Sequence, residues 1–310
     1  MNRQPFFRFH GIAKTWLLLG ALLWLTACEK DANVEVPATA PKLVLSCFLS
    51  PQDTVLKVTV KKSVPIYNNP TSSNQTAWVD DATVTLSDGT TTVRLALARA
   101  NTGTYTTRAT NLPILSGKTY FLNVTAPGGF QAEASCTIPA RAHDAITNIG
   151  LDASLMNGGI GYEYNLSVEW QDAPGEGDYY YLFAERPGTI QRGFNPTDPN
   201  KVDTLYYPIS FEQGEEYTRD MGQEGCRFLV KNGKFTSLTD PSGTGEAYRL
   251  EKKINVVLLT TDRGYYEYHR ALKNYVGDNP FSEPILLFSN VKGGLGIMSG
   301  YQRVTRVYRY

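Results

Sequence analysis

Between residues 42 and 140, apolar and polar side chains alternate in short runs. Apolar residues fall at every second position, as at Leu43, Leu45 and Leu49, and turn signals such as the Ser-Asp-Gly at 87–89 separate the runs. A period of two is typical of β-strands, and regularly spaced turns favour an antiparallel sandwich. We therefore predict a β-sandwich with strands at 43–49, 55–60, 82–86, 93–97, 103–105, 120–124 and 130–138.

From residue 141 to 310 the pattern remains rich in β-strand signals but is less regular. Long polar stretches at 186–203 and 211–223 are predicted to be loops. Because the chain is long enough for two domains of ordinary size, we predict a β-sandwich domain at 42–140 and a β-rich domain at 141–310. Strands of the second domain are predicted at 145–149, 164–170, 179–183, 253–260 and 301–310.

One amphipathic helix is predicted near residues 262–276. Asp262 can serve as its N-cap, and Gly277 and Pro280 end it. A single helix among strands is expected to pack its apolar stripe on a sheet. The stripe consists of residues at three-to-four spacing, namely Tyr265, Tyr268, His269, Leu272, Tyr275 and Val276.

The first 27 residues combine a basic lead with an apolar run at 16–24, a pattern typical of a secretory signal peptide. The run is too short to span a bilayer core of ~30 Å. Its ending, Leu-Thr-Ala before Cys28, resembles a bacterial lipobox, in which the cysteine is lipidated and becomes the mature N-terminus. We predict a signal peptide at 1–27, lipid attachment at Cys28 and an extended stalk at 28–41. The alternative is an ordinary signal peptide followed by a coincidental cysteine.

Charge and cysteine content restrict the function further. The 30 Lys and Arg balance the 30 Asp and Glu, so no field of one sign favours nucleic acid as a partner. Beyond Cys28 the chain has Cys47, Cys136 and Cys226, an odd number that leaves at least one thiol unpaired. Free buried thiols are favoured at Cys47 and Cys136, and a disulfide between these two is the alternative, because export permits it.

The sequence contains no recognisable catalytic constellation. Beyond the signal peptide the histidines are His143 and His269, which lie far apart and lack metal-ligand spacing. His269 falls on the apolar stripe of the predicted helix, where a packed histidine is favoured over a ligand. The small residues at 298–300 lack the strand–turn–helix context of a nucleophile elbow. A tight β-turn explains the glycines at 293–296 better than a nucleotide-binding loop does.

Two further patterns suggest binding chemistry. Asp172, Glu176 and Asp178 lie in one glycine-containing loop whose oxygens could bind Ca²⁺, although a solvated turn is the default interpretation. Tyrosine pairs at 179–180, 206–207 and 265–266 could line an interface, whereas packing accounts for half of each pair. We therefore predict no metal and no cofactor.

Several short motifs follow one another along the chain, at 28–30, 42–45, 81–89, 103–105, 172–180, 278–282 and 289–297. With the lipobox, their order resembles a Bacteroidota outer-membrane lipoprotein family catalogued as domain of unknown function 4249. That family has no established activity, so it supplies no catalytic residues. The resemblance implies an outer-membrane lipoprotein beside a TonB-dependent receptor, with an immunoglobulin- or prealbumin-like front domain.

These features predict a non-enzymatic, lipid-anchored accessory protein that works with a TonB-dependent receptor in uptake. The charged residues Glu29, Lys30 and Asp31 resemble signals that send lipoproteins to the outer face of the outer membrane, so we expect the folded part at the cell exterior. One alternative is a stand-alone surface lipoprotein that binds a glycan or a peptide. A second alternative is a secreted hydrolase with a dispersed site.

Overall fold

A computed structural model of the chain describes residues 40–64, 78–140, 146–159, 161–172, 177–191, 202–211, 216–220, 225–237, 247–273 and 287–310. Within them the fold is mainly β, with one α-helix, which confirms the predicted class. The signal peptide, Cys28 and nearly all of the stalk lie outside these residues. The strands are β1 Leu43–Leu49, β2 Val55–Lys62, β3 Thr83–Ser87, β4 Thr92–Arg99, β5 Thr104–Arg108, β6 Thr119–Ala126, β7 Phe130–Thr137, β8 Ile146–Leu155, β9 Tyr162–Gln171, β10 Tyr179–Gln191, β11 Val202–Ile209, β12 Tyr217–Arg219, β13 Arg227–Thr236, β14 Ala247–Leu250, β15 Lys253–Thr261 and β16 Gly294–Arg309; the helix is α1 Arg263–Lys273.

The front part of the chain forms the predicted strands, β1–β7, around a core of their inward-facing residues. On β1 the side chains of Leu43, Cys47 and Leu49 have no exposed surface, as the period of two predicts. Two buried tyrosines satisfy their hydroxyls on nearby loops. The Tyr105 hydroxyl donates to the Val79 carbonyl and accepts from the Ala82 amide, each at 2.9 Å. The remaining core residues include Leu56, Val58, Val84, Leu86, Tyr120, Leu122 and Ile138.

One large sheet runs through both halves of the chain. Its strand order is β11-β10-β15-β16-β1-β2-β5-β4-β3-β6-β7, with β12 and β14 also paired to β10. The last strand, β16, pairs in parallel with β1 through residues 294–300 and antiparallel with β15 through residues 301–309. Its residue Met298 is buried in the front core. The predicted boundary at Arg141 lies outside the described residues, and the independence of the two halves stays a prediction.

In the second half, three layers pack on one another. A separate sheet of β13, β9 and β8 covers one face of β10, β11 and β15, around a core that includes Trp170, Tyr180 and Leu258. Helix α1 covers the opposite face, where Tyr265 packs with Val257 and Leu259. The helix and the small sheet therefore bury both faces of the same central strands.

Pairing places strands in the described parts of the two stretches that were predicted to be loops, so the loop prediction was wrong for those parts. Strand β10 continues to Gln191, and β11 begins at Val202 within the first stretch. Strand β12, Tyr217–Arg219, lies within the second. The polar sequence conceals these strands because their burial comes from tertiary contacts: Arg186, for example, is 4% exposed and lies over the Phe235 ring at 4.4 Å.

The glycines at 293–296 were predicted to form a tight turn before a strand that begins at 301. That prediction was wrong. Strand β16 already begins at Gly294, and Gly296 sits within it at φ +106°. A Cβ on Gly296 would overlap the carbonyl oxygen of Leu45 on the paired strand. Glycine is therefore required where β16 lies against β1.

The predicted helix is present, and its N-cap is confirmed. The Tyr265 amide donates to Asp262 Oδ1 at 2.8 Å. The expectation that Leu272 faces the sheet was wrong, since its side chain is 46% exposed. Burial falls along the helix, from Tyr265 and Tyr266 in the first turns to half-buried His269 and exposed Leu272. The first half of α1, rather than its last turn, holds it against the sheet.

Candidate functional site

The face of the large sheet beneath α1 is covered by aromatic rings. Tyr265 lies at their centre, with ring centroids 5.5 Å from Phe48 of β1 and 5.7 Å from Tyr301 of β16. Tyr181 of β10 lies 6.3 Å away from it. Such pairs contribute ~0.5–1.5 kcal/mol each beyond the area that they bury. The helix is therefore fixed by rings from three strands that are remote in sequence.

His269 is part of this packing, as predicted. Its ring stacks on Tyr265 at 4.1 Å and lies 5.0 Å from Phe48. Its Nδ1 atom is 3.1 Å from the Tyr265 carbonyl oxygen. Burial lowers the pKa of His269, which favours a neutral ring at physiological pH. His269 lines none of the grooves described below.

Asp262 and Ser299 join the start of the helix to β16. The Asp262 carboxylate accepts hydrogen bonds from the Ser299 hydroxyl, from the Gly300 amide at 2.8 Å and from the Tyr265 amide. Burial raises the pKa of Asp262. Ser299 has no exposed surface and donates directly to a carboxylate. This serine therefore positions the helix and offers no accessible nucleophile.

An open groove of about 390 Å³ lies beside the C-terminal end of α1; we call it the helix groove. An ion pair joins Lys273 to Glu216 at its side, and burial lowers the pKa of Lys273. Atom Oε2 of Glu216 is buried and has no hydrogen-bond partner among the described residues. The lining includes Tyr181, Phe183, Glu185, Pro208, Glu216 and Lys273.

One residue that lines the helix groove, Tyr181, is packed against a neighbouring tyrosine that does not line it. Tyr217 stacks on Tyr181 with ring centroids 4.5 Å apart, and the two hydroxyls are hydrogen-bonded. Burial raises the pKa of both tyrosines, so neither hydroxyl ionises near neutral pH. Aromatic side chains beside one ion pair can hold an apolar group together with a hydrogen-bond donor.

Of the three loop carboxylates considered as calcium ligands, with a solvated turn as the default interpretation, the structure describes Asp172 and Asp178. Asp172 is 2% exposed and accepts a hydrogen bond from the Tyr180 hydroxyl at 2.8 Å. The backbone carbonyl of Asp178 accepts from the Asp220 amide at 2.9 Å. Glu176, like His143, lies outside the described residues. Within the described ranges, no group of three or more His, Cys, Asp or Glu side chains could hold a metal ion.

The cysteines and the tyrosine pairs follow the packing interpretation. Cys47 and Cys136 are free thiols in the front core, and burial raises the pKa of Cys47 to about 12. The favoured interpretation is confirmed, and the disulfide alternative was wrong. Tyr180 packs in the core between the small sheet and the large sheet, whereas Tyr179 lies on the side of the helix, with its ring centroid 5.2 Å from that of Tyr266.

No pattern in the sequence indicated the helix groove. Glu216 lies in a stretch predicted to be a loop, and Lys273 lies on the polar side of the predicted helix. The two meet only because β12 pairs with β10 under the end of α1. A charged residue near a helix C-terminus is common, so the ion pair could not have been inferred from composition.

Comparison with known proteins gives one family. The family model described as domain of unknown function (DUF4249) matches residues 29–306. No curated protein matches the chain. In the part of the chain that the structure describes, no helix combines the length and the apolar character that crossing a membrane requires.

Proposed function

The chain belongs to the family described as domain of unknown function (DUF4249), and from this premise we propose that it is a non-enzymatic, lipid-anchored accessory protein of the outer membrane. It works with a TonB-dependent receptor in uptake, with its folded part at the cell exterior. The observation that carries the proposal is the helix groove, whose aromatic residues Tyr181 and Phe183 and whose ion pair are suited to holding a partner.

The anchor supports this location. Cys28 follows a signal-peptide pattern, and the first strand begins only at Leu43. Each buried CH₂ of an acyl chain contributes ~0.8 kcal/mol, so two or three chains on one cysteine hold a protein at a membrane almost irreversibly. The stalk between Cys28 and Leu43 then keeps the β-sheet clear of the lipid headgroups.

Cys28→Ala should release the protein from the membrane without unfolding it, because the anchor lies outside the sheet. Cell fractionation at high salt measures the release, and circular dichroism checks the fold. Cys226→Ala is the matched control, since it removes a cysteine of the folded part and should leave the protein membrane-bound. A Cys28→Ala protein that still sediments with membranes at high salt would contradict the lipid anchor.

The partner is tested by purifying the tagged full chain from detergent-solubilised outer membranes. A TonB-dependent receptor should co-purify, and Ser210→Arg should abolish its recovery because Ser210 is an exposed residue lining the helix groove. Thr204→Arg is the control, because Thr204 is exposed on the adjoining strand β11 but does not line this groove. Repeated recovery without any receptor would refute the partnership, and equal effects of both variants would refute the groove.

A stand-alone glycan- or peptide-binding lipoprotein is the alternative. It predicts that the purified protein binds a polymer and that no receptor co-purifies with the full chain. The hydrolase alternative has less support, because the serine beside the helix is fully buried.

A further inference from the structure

A second groove crosses the outer face of the β6–β7 hairpin. Residues 289–293, which we call the strap, form one wall of it, and the outward side chains of β6 and β7 form its floor. Two adjoining hollows of about 280 Å³ and 390 Å³ share Asn123, Glu133 and Lys292, so we treat them as one strap groove. The floor also includes Phe121, Thr125, Gln131 and Ser135.

The strap is held firmly against β7. The amide of Glu133 donates to the Lys292 carbonyl at 3.0 Å, and the Lys292 amide donates back to the Glu133 carbonyl at 2.8 Å. The side chain of Asn290 donates to the Met298 carbonyl at 2.7 Å and accepts from the Met298 amide at 2.9 Å. Gly293, at φ +73°, lets the strap lie close to Gln131. The wall of the groove is therefore preformed.

The floor presents polar side chains that are not used by the fold. Asn123, Gln131, Glu133 and Lys292 are exposed, and within the described residues their side chains form no hydrogen bond or ion pair with one another or with other protein groups. Phe121 stands beside them on β6 with 43% of its side chain exposed. Neither the exposed ring of Phe121 nor the wall formed by the strap is needed for a sheet face that only contacts water.

From these groups we infer that the strap groove binds a neutral oligosaccharide segment of a polysaccharide. Side-chain amides both donate and accept, as sugar hydroxyls do, and Asn123 and Gln131 supply two of them. The carboxylate of Glu133 adds an acceptor, and the ammonium group of Lys292 adds donors. The face of Phe121 offers an apolar surface for the C–H side of a sugar ring.

Charge and length indicate the kind of glycan. The groove has one acidic and one basic side chain, Glu133 and Lys292, so their charges cancel and a strongly charged polymer gains nothing from the site. The floor from Phe121 to Thr125 spans four residue steps of β-strand, about 13 Å. That length suits a short run of sugar rings rather than a single monosaccharide.

The edge of the hairpin disfavours a peptide ligand. Peptides that bind beside a sheet usually add a strand through main-chain hydrogen bonds. At the middle of the groove, the strap already takes the amide and carbonyl of Glu133. A ligand there must be recognised by side chains above the sheet, which is the mode available to a polyhydroxylated chain. The inference does not depend on whether a receptor takes part.

Affinity electrophoresis of the detergent-solubilised full chain tests the inference. The gels contain xyloglucan, galactomannan or dextran as neutral probes, and polygalacturonate as the anionic probe. At least one neutral polysaccharide should retard the protein, and Phe121→Ala should weaken that retardation at least about tenfold. Because Phe121 is partly exposed, circular dichroism of the variant should match that of the parent.

Tyr206→Ala is the matched control, since it removes another exposed aromatic side chain on β11, far from the strap in the strand order. It should bind as the parent does. Glu133→Gln keeps a hydrogen-bonding group and should retain most of the binding, as a neutral ligand requires. The inference is overturned if no neutral polysaccharide retards the protein, if only polygalacturonate does, or if both aromatic variants bind equally. Each of these results leaves the membrane and receptor tests unaffected.

Discussion

Tyr265→Ala should remove the ring that holds α1 against the sheet. Tyr265 is 9% exposed, and its ring contacts Phe48, Tyr181, Tyr301 and His269. Replacing a buried aromatic side chain by alanine typically costs ~3–5 kcal/mol. Four ring pairs are lost at once, so we expect the upper part of this range. Since whole domains are stable by only ~5–15 kcal/mol, the loss should be large and easily measured.

Leu272→Ala is the control on the same helix. Its side chain is 46% exposed, and exposed substitutions usually change the free energy of unfolding by less than ~0.5 kcal/mol. Urea unfolding followed by far-UV circular dichroism gives the free energies of both variants. Near-UV circular dichroism should also show a weaker tyrosine signal in Tyr265→Ala, because the rings around it lose their fixed packing.

Two results would refute this reasoning. If Leu272→Ala costs as much as Tyr265→Ala, the last turn of the helix is packed and the decline of burial along α1 is wrong. If Tyr265→Ala costs less than ~1 kcal/mol, the rings on β1, β10 and β16 close without the helix, and α1 is only loosely attached.

Two further predictions concern the attachment of β16. Gly296→Ala should lower the free energy of unfolding by more than the ~1–2 kcal/mol that a left-handed backbone costs, because the new Cβ would overlap the Leu45 carbonyl. Gly158→Ala is the control: at φ +99°, with nothing within 4 Å of the new Cβ, it should lose only the backbone part. Urea unfolding compares the two, and equal costs would contradict the close approach of β16 to β1. Asp262 binds its proton more tightly in the folded state, so its contribution to stability is full below the ordinary pKa of 3.8 and falls as pH rises through the raised value. Asp262→Asn should flatten that slope in thermal melts recorded as the pH rises above 3.8, and an unchanged slope would assign it to another group.

The front strands could be predicted because their burial follows a local rule. On β1 every second side chain is buried, so the alternation of Leu43, Leu45 and Cys47 is visible without any knowledge of the partners. The N-cap was also predictable, because Asp262 satisfies an amide only three residues away. Both signals lie within a few residues of the feature that they predict.

The strands that escaped prediction depend on distant partners. The first residues of β16 include Gly294 and Gly296, which indicate a turn until Leu43 and Leu45 of β1 are placed against them. Strand β12 has three residues and exists because Tyr217 pairs with Tyr181 of β10. Such elements are specified by tertiary contacts, which override local propensity.

The same distinction between local and distant signals applies to the parts of the strap groove. The exposed ring of Phe121 and the amide of Asn123 lie on a strand predicted from the pattern, so their outward direction followed from alternation. The facing wall, at Lys292, comes from a strap far away in the sequence. The outward side chains of the floor could therefore be predicted from the sequence, but the contact between the floor and the strap could not.

Strand β16 relates the two grooves to each other. The main chain of Met298 binds Asn290 of the strap, and the next residue, Ser299, binds Asp262 at the start of α1. The helix groove lies beside β10 and β11 at one end of the strand order, and the strap groove lies at β7 at the other. A slip of β16 by one residue would exchange the faces of its side chains and displace both walls together. The parallel pairing of β16 with β1 therefore helps to set the geometry of both surfaces.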